Sequence, residues 1–291
     1  MRRLFALTLV TLGACKSQTL VDHRPPEAHD APAPSAAPSA AVTDAGETRD
    51  ALADVPEIME LREGSELLGV VSVPVGAREP RPIMIALHGG SDRPERACPA
   101  WRVAADAYAF IVCPHGWGGN EKRLGWRSAA DSQLRIARAI AAVRKAFGAW
   151  VKDTKTMVLA GFSMGASQVA RIAASDPQTY RRIVIGDSAH DPWPALDFSR
   201  AWAKGGGERA MFMCTTSGCE PSMRAAAKKV AAQKDAGAAR LVIAPTQVHG
   251  LSTRVASSLR HDWVWLVEGA EGWEQYAAPV QAPVEGRTES Y

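Results

Sequence analysis

A chain of 291 residues that is 46% hydrophobic and 22% charged can bury a sizeable core, which excludes a wholly disordered or fibrous protein. Its 34 basic and 31 acidic residues nearly balance, so nothing in the charge calls for nucleic acid as a partner. No apolar run reaches the ~20 residues of a spanning helix, which excludes a multi-pass membrane protein.

The chain opens on Met1-Arg2-Arg3, an almost unbroken apolar run over residues 4–12, and the small pair Gly13-Ala14 ahead of Cys15. A charged start, an apolar centre and small residues before the cut are the parts of a secretory leader. Leu12-Gly13-Ala14-Cys15 resembles the bacterial lipobox. That resemblance implies a signal peptide over 1–14 and a diacylglycerol-bearing, palmitate-type anchor on Cys15. Two or three acyl chains hold at a membrane where one does not, at ~0.8 kcal/mol per buried methylene. Lys16-Ser17 places no Asp behind the cysteine to favour inner-membrane retention. The expected location is therefore across the inner membrane, anchored at the bacterial outer membrane or periplasmic face. Residues 15–55 are rich in Pro, Ala, Asp and Ser without apolar periodicity, and read as a disordered tether with a reach of ~35 Å.

Five cysteines are odd in number, and lipidation of Cys15 leaves Cys98, Cys113, Cys214 and Cys219. Outside the cytosol, short separations favour Cys98–Cys113 and Cys214–Cys219 disulfides, with buried free thiols as the alternative.

From residue 56 onward strand and helix patterns alternate. Residues 57–61 and 67–73 read as a hairpin joined by Arg62-Glu63-Gly64-Ser65-Glu66. Runs apolar on successive residues follow at 83–87, 110–113, 156–160, 183–185, 211–214 and 241–244, the pattern of strands buried on both faces. Between them, Ile136, Ile140, Val143 and Phe147 mark a helix with Ser128 and Asp131 near its start and Gly148 at its stop. Pro221 opens another that Gly237 closes, and Ser252 caps a third carrying Val255, Leu259, Trp263 and Leu266 inward. The sum is an α/β protein, an eight-stranded mostly parallel sheet with helices on both faces. Its domain spans 56–270, and a weakly structured tail spans 271–291.

In such sheets function gathers at the carboxyl ends of the strands. Gly161-Phe162-Ser163-Met164-Gly165 follows the strand at 156–160 and leads into a helical run, the strand–turn–helix setting of a nucleophile elbow. A serine hydroxyl needs a neighbouring base to take its proton. Of seven histidines, His23 and His29 lie in the tether and His261 lies mid-helix, while His88, His115 and His190 follow other strands. His249 stands just past the last of these strands and before the last helix, the place for the base. The imidazole in turn needs an acid on its other nitrogen. The segment after 211–214 offers Glu220; Asp187 and Asp191, after the preceding strand, compete with it.

At these residues the sequence resembles the α/β-hydrolase family over about 57–268, through the elbow, the His88-Gly89-Gly90 after the third strand, and the chain order Ser163…Glu220…His249. The resemblance implies an oxyanion hole from the backbone N–H groups of Gly90 and Met164, with His88 holding that loop. It also implies an acyl-serine mechanism, with water releasing the acid. Glu in place of the commoner Asp, and Ala166 where a glycine often follows the elbow, are departures.

No cofactor and no metal is implied: there is no H-E-x-x-H and no G-x-G-x-x-G behind the first strand. Residues 188–207, with Trp193 and Trp202, are the natural place for a short lid, and Trp117 and Trp126 are candidates for an apolar or aromatic wall. The expected partner is a small or polymeric ester, because the compact form resembles secreted carboxylesterases and dienelactone-hydrolase-, polyester- or feruloyl-esterase-like proteins. A peptidase or amidase with the same triad, and a non-catalytic binding lipoprotein, are the competing readings. Oligomeric state is not encoded legibly.

Overall fold

Runs apolar on successive residues become the inner strands of one sheet in this computed structural model, which describes residues 49–118, 123–188, 198–233, 237–244, 246–277 and 286–291. The leader, Cys15, nearly all of the tether, and His190, Asp191 and Trp193 lie outside these residues. The strands are β1 (Ile58–Glu63), β2 (Glu66–Ser72), β3 (Ile83–Leu87), β4 (Phe110–Pro114), β5 (Val158–Phe162), β6 (Arg182–Gly186), β7 (Arg209–Cys214), β8 (Ala238–Ile243) and β9 (Arg287–Ser290). Their order in the sheet is β1-β2-β4-β3-β5-β6-β7-β8-β9. Strands β3 to β8 run parallel, while β1, β2 and β9 are antiparallel to their neighbours.

Every residue of β3, β4, β5 and β6 is buried, because successive side chains point to opposite faces and both faces are covered. Ile83, Ile85 and Leu87 enter one core with the helices α2 (Ala129–Phe147), α3 (Met164–Ser175), α4 (Ser199–Lys204) and α5 (Glu220–Ala231). Met84 and Ala86 enter the other, beneath α1 (Pro94–Ala104) and α6 (Thr253–Val267).

The polar capping residues act where the sequence places them. Ser128 Oγ accepts from the Asp131 N–H at 3.1 Å, and Ser252 Oγ from the Val255 N–H at 3.2 Å, each satisfying a donor that the first helical turn leaves over. Gly237 does not close a helix, since α5 ends at Ala231. It instead lets the chain enter β8: a Cβ there would fall 1.0 Å from the Glu208 carbonyl oxygen. Cys98 pairs with Cys113, tying α1 to β4, and Cys214 pairs with Cys219, closing the turn between β7 and α5.

Two boundaries differ from the sequence reading. The folded unit begins inside the stretch read as tether: Leu52 is buried and its N–H donates to the Ala77 carbonyl at 2.7 Å, while Arg49 donates to the Ala149 carbonyl. The described residues past 270, 271–277 and 286–291, are packed on the domain. Trp273 is buried against Tyr108 and Trp263, and β9 adds a ninth strand to the edge of β8. Arg224 first, and then the Tyr291 hydroxyl, hold the Glu289 carboxyl down at about 2, so β9 is fastened to α5 by charge as well as by its backbone ladder. Short polar strands with an alternating charged pattern carry little apolar signal, and β9 has none.

Candidate active site

The nucleophile is set by two close approaches. Strand β5 delivers the chain to Ser163, whose φ of 54° and ψ of −121° lie in a region that non-glycine residues rarely occupy, at a cost on the order of 1–3 kcal/mol. The turn persists because its flanks leave no other path. A Cβ on Gly161 would sit 2.6 Å from the Gly165 carbonyl, and a Cβ on Gly165 would sit 2.4 Å from the Leu87 carbonyl oxygen. The Ser163 N–H is spent on the Gly186 carbonyl of β6 at 2.7 Å, which pins the elbow to the neighbouring strand.

His249 reaches this serine from the loop after β8: Nε2 lies 2.9 Å from Ser163 Oγ. On the other side of the ring, Nδ1 lies 3.1 Å from Asp187 Oδ2. Asp187 is fully buried, directly beyond the end of β6, and its N–H donates to the Met213 carbonyl at 2.7 Å. A buried carboxylate accepts, so Nδ1 carries the proton and Nε2 is left to accept from the serine hydroxyl. The Phe162 ring lies against the imidazole, centroids 5.0 Å apart.

Glu220 does not take part, and that expectation is corrected. It stands in the first turn of α5, where its carboxylate is held by Arg287 at 2.6 Å and Arg224 at 3.3 Å. Charge at a helix start and these two guanidinium groups account for it. Asp187, the competing candidate, is the acid that meets His249, and Asp191 lies outside the described residues. The sequence signal was proximity to a strand end: Asp187 follows β6 immediately, whereas Glu220 is six residues past β7 and just ahead of Pro221.

The loop expected to form the oxyanion hole packs on the elbow. A Cβ on Gly89 would contact Ser163 Cβ at 3.4 Å, and one on Gly90 would lie 3.0 Å from Met164 Cε. Met164 opens α3, where the first helical N–H groups have no intrahelical partner and face outward from the helix start. Behind the loop, His88 is fully buried; its Nε2 accepts from the Gly116 N–H at 3.1 Å, so Nδ1 carries the proton and donates to the Gly89 carbonyl at 2.7 Å. Burial pushes this imidazole below its ordinary value, in keeping with a neutral ring. His88 is thus a rivet between two loops and not a base.

Trp126 and Trp202 fall into other roles than a wall or lid. Trp126 is buried and donates from Nε1 to the His88 carbonyl at 2.9 Å, so it supports the oxyanion loop from within. Trp202 is fully buried and donates to the Tyr180 carbonyl, so it belongs to the core; Trp193 lies outside the described residues. Trp117 stays 38% exposed, with the Arg127 guanidinium 3.7 Å and that of Arg135 4.6 Å from its ring. Met164 beside the nucleophile and Val248 beside the base are also exposed, 43% and 72%.

No family model matches the sequence, and no curated protein matches it. Solved structures share its fold. An S-formylglutathione hydrolase from Agrobacterium tumefaciens is similar at 15% identity and a TM-score of 0.51, over 75% of this chain and 99% of that one. Est1E from Butyrivibrio proteoclasticus, in a structure with ferulic acid bound, is similar at 14% identity and a TM-score of 0.51, over 72% and 99%. FphF, a fluorophosphonate-binding serine hydrolase of Staphylococcus aureus, is similar at 12% identity and a TM-score of 0.50, over 72% and 98%. The sheet order, the helices on both faces and the elbow between β5 and α3 make this the α/β-hydrolase fold, with Ser163, His249 and Asp187 meeting at its carboxyl edge.

Proposed function

We propose that this protein is a serine hydrolase that cleaves carboxylic esters, and the observation that carries the reading is the unbroken line Ser163 Oγ–His249 Nε2, His249 Nδ1–Asp187 Oδ2, at 2.9 and 3.1 Å. Ser163 Oγ attacks the ester carbonyl carbon as His249 takes its proton. The carbonyl oxygen becomes an oxyanion facing the Gly90 and Met164 N–H groups, donors of a kind worth ~2.7–4 kcal/mol each when lost. The intermediate collapses, the alkoxide leaves with the proton from His249, and an acyl-serine remains. Water then attacks the acyl carbon, giving His249 a proton that returns to Ser163 as the acid departs. The exposed apolar side chains of Met164 and Val248, next in the chain to the nucleophile and the base, favour an apolar acyl or alcohol part.

A fluorophosphonate probe is expected to label the wild type, and Ser163→Ala to lose both the label and hydrolysis of p-nitrophenyl butyrate, by about 10⁶-fold in kcat. Equal turnover by the variant would remove the reading. Matched anilides separate esterase from amidase: faster cleavage of the anilide would move the assignment to the second class.

The leader belongs to the same proposal. An enzyme with a lipidated Cys15 would work at a membrane surface in an oxidising compartment, consistent with its two disulfides. Radiolabelled palmitate is expected to enter the wild type expressed in a Gram-negative host and to be absent from Cys15→Ser; label in the variant would refute the anchor.

A further inference from the structure

Just past the end of β7, the strand after which the sequence reading expects the acid, stands Thr215, fully buried and next to Cys214 of the second disulfide. Its hydroxyl donates to Asp187 Oδ2, the same oxygen that faces His249 Nδ1. The other oxygen, Oδ1, is buried without a hydrogen-bond partner among the described residues. A fully buried carboxylate is costly unless hydrogen-bonded, and the torsion that swings its two oxygens is soft. Apart from the imidazole, Thr215 is the side chain seen to hold that torsion.

Thr215 also ties the acid to the loop that delivers the base. Its carbonyl accepts from Thr246 Oγ1 at 3.0 Å, the Cys214 carbonyl accepts from the Ala244 N–H at 2.9 Å, and the Ser217 N–H donates to Gln247 Oε1 at 3.3 Å. Three bonds therefore bind the turn closed by Cys214–Cys219 to the segment that runs from β8 to His249. We infer that Thr215 is a positioning residue of the triad, whose hydroxyl fixes the rotamer of Asp187 while its backbone fixes the base loop in register with it. This rests on the serine-hydrolase reading for its consequence in rate, though not for the hydrogen bond itself.

Two near-isosteric variants separate this from simple packing. Thr215→Val keeps the shape and removes the donor; Thr215→Ser keeps the donor and removes the methyl group. Two readouts apply: the second-order rate of fluorophosphonate labelling, in which Ser163 Oγ bonds to phosphorus as fluoride leaves and His249 takes the proton, and the far-downfield proton resonance of His249 Nδ1–H. Thr215→Val is expected to slow labelling roughly 10- to 100-fold and to shift or broaden the resonance, as a misplaced catalytic group does. Thr215→Ser is expected to stay within about threefold of the wild type, with the resonance in place. Labelling and resonance unchanged in Thr215→Val, or a loss in Thr215→Ser as large as in Thr215→Val, would overturn the assignment. If Thr215→Val does not fold, Thr215→Ala replaces it under the same criteria. A wild type with the resonance but no labelling sinks the hydrolase reading while the resonance still decides on Thr215; a wild type with neither sinks both.

Discussion

Asp187→Asn is expected to lower kcat by about 10⁴-fold, while Glu220→Gln stays within about threefold of the wild type. The asymmetry follows from proton placement. An amide at 187 turns an N–H toward His249 Nδ1, which then accepts; the ring proton moves to Nε2, and Ser163 Oγ, 2.9 Å away, faces a donor where it needs an acceptor. The geometry survives and the base is lost. Glu220→Gln instead removes contacts to Arg224 and Arg287 in the first turn of α5, and ion pairs near the surface contribute ~0–1 kcal/mol. Kinetics on p-nitrophenyl butyrate decide it. A crippled Glu220→Gln beside an active Asp187→Asn would restore Glu220 as the acid.

Gly165→Ala is the second large effect, and it acts on stability and rate together. The added methyl would lie 2.4 Å from the Leu87 carbonyl oxygen and 2.6 Å from that of His88, both backbone atoms that cannot rotate away. Helix α3 must lift from β3, at an overpacking cost of about 1–3 kcal/mol. For a domain of this size each kcal/mol lowers Tm by roughly 2–4 °C. Because Ser163 starts that helix and His88 anchors the oxyanion loop, the same displacement separates nucleophile from oxyanion donors, and a shift of ~1 Å costs on the order of 10²-fold. A variant with wild-type Tm and kcat/KM would mean that the close approach is relieved without consequence.

The sheet was legible because its inner strands are buried on both faces, so that runs such as Ile83-Met84-Ile85-Ala86-Leu87 carry their own announcement. The elbow was legible because its glycines answer a steric demand visible in the spacing alone. The acid was not. Seeking it after β7 fits the resemblance, but here the hydroxyl of Thr215 stands just past that strand end and the carboxylate sits one strand earlier, behind Gly186. The local pattern holds one cue, that Asp187 follows its strand at once while Glu220 stands six residues past its own, and it is the fold that brings Asp187 to Nδ1. The departure in acid type expected from the sequence thus disappears, and a departure in acid position replaces it. Helix α1 was missed for a different reason: apart from Trp101, its buried face is made of Pro94, Ala97, Cys98, Ala100 and Ala104, small side chains that carry little apolar periodicity, although the helix packs closely on α6.

The added ninth strand has a consequence for how the molecule behaves in a crowd. Without Arg287–Ser290, the flank of β8 would present a row of unpaired amides, the surface on which chains recruit one another into fibrils. Deleting residues 286–291 would leave the triad's own elements in place yet unmask that flank, so the truncated protein should form oligomers while single molecules still turn over substrate.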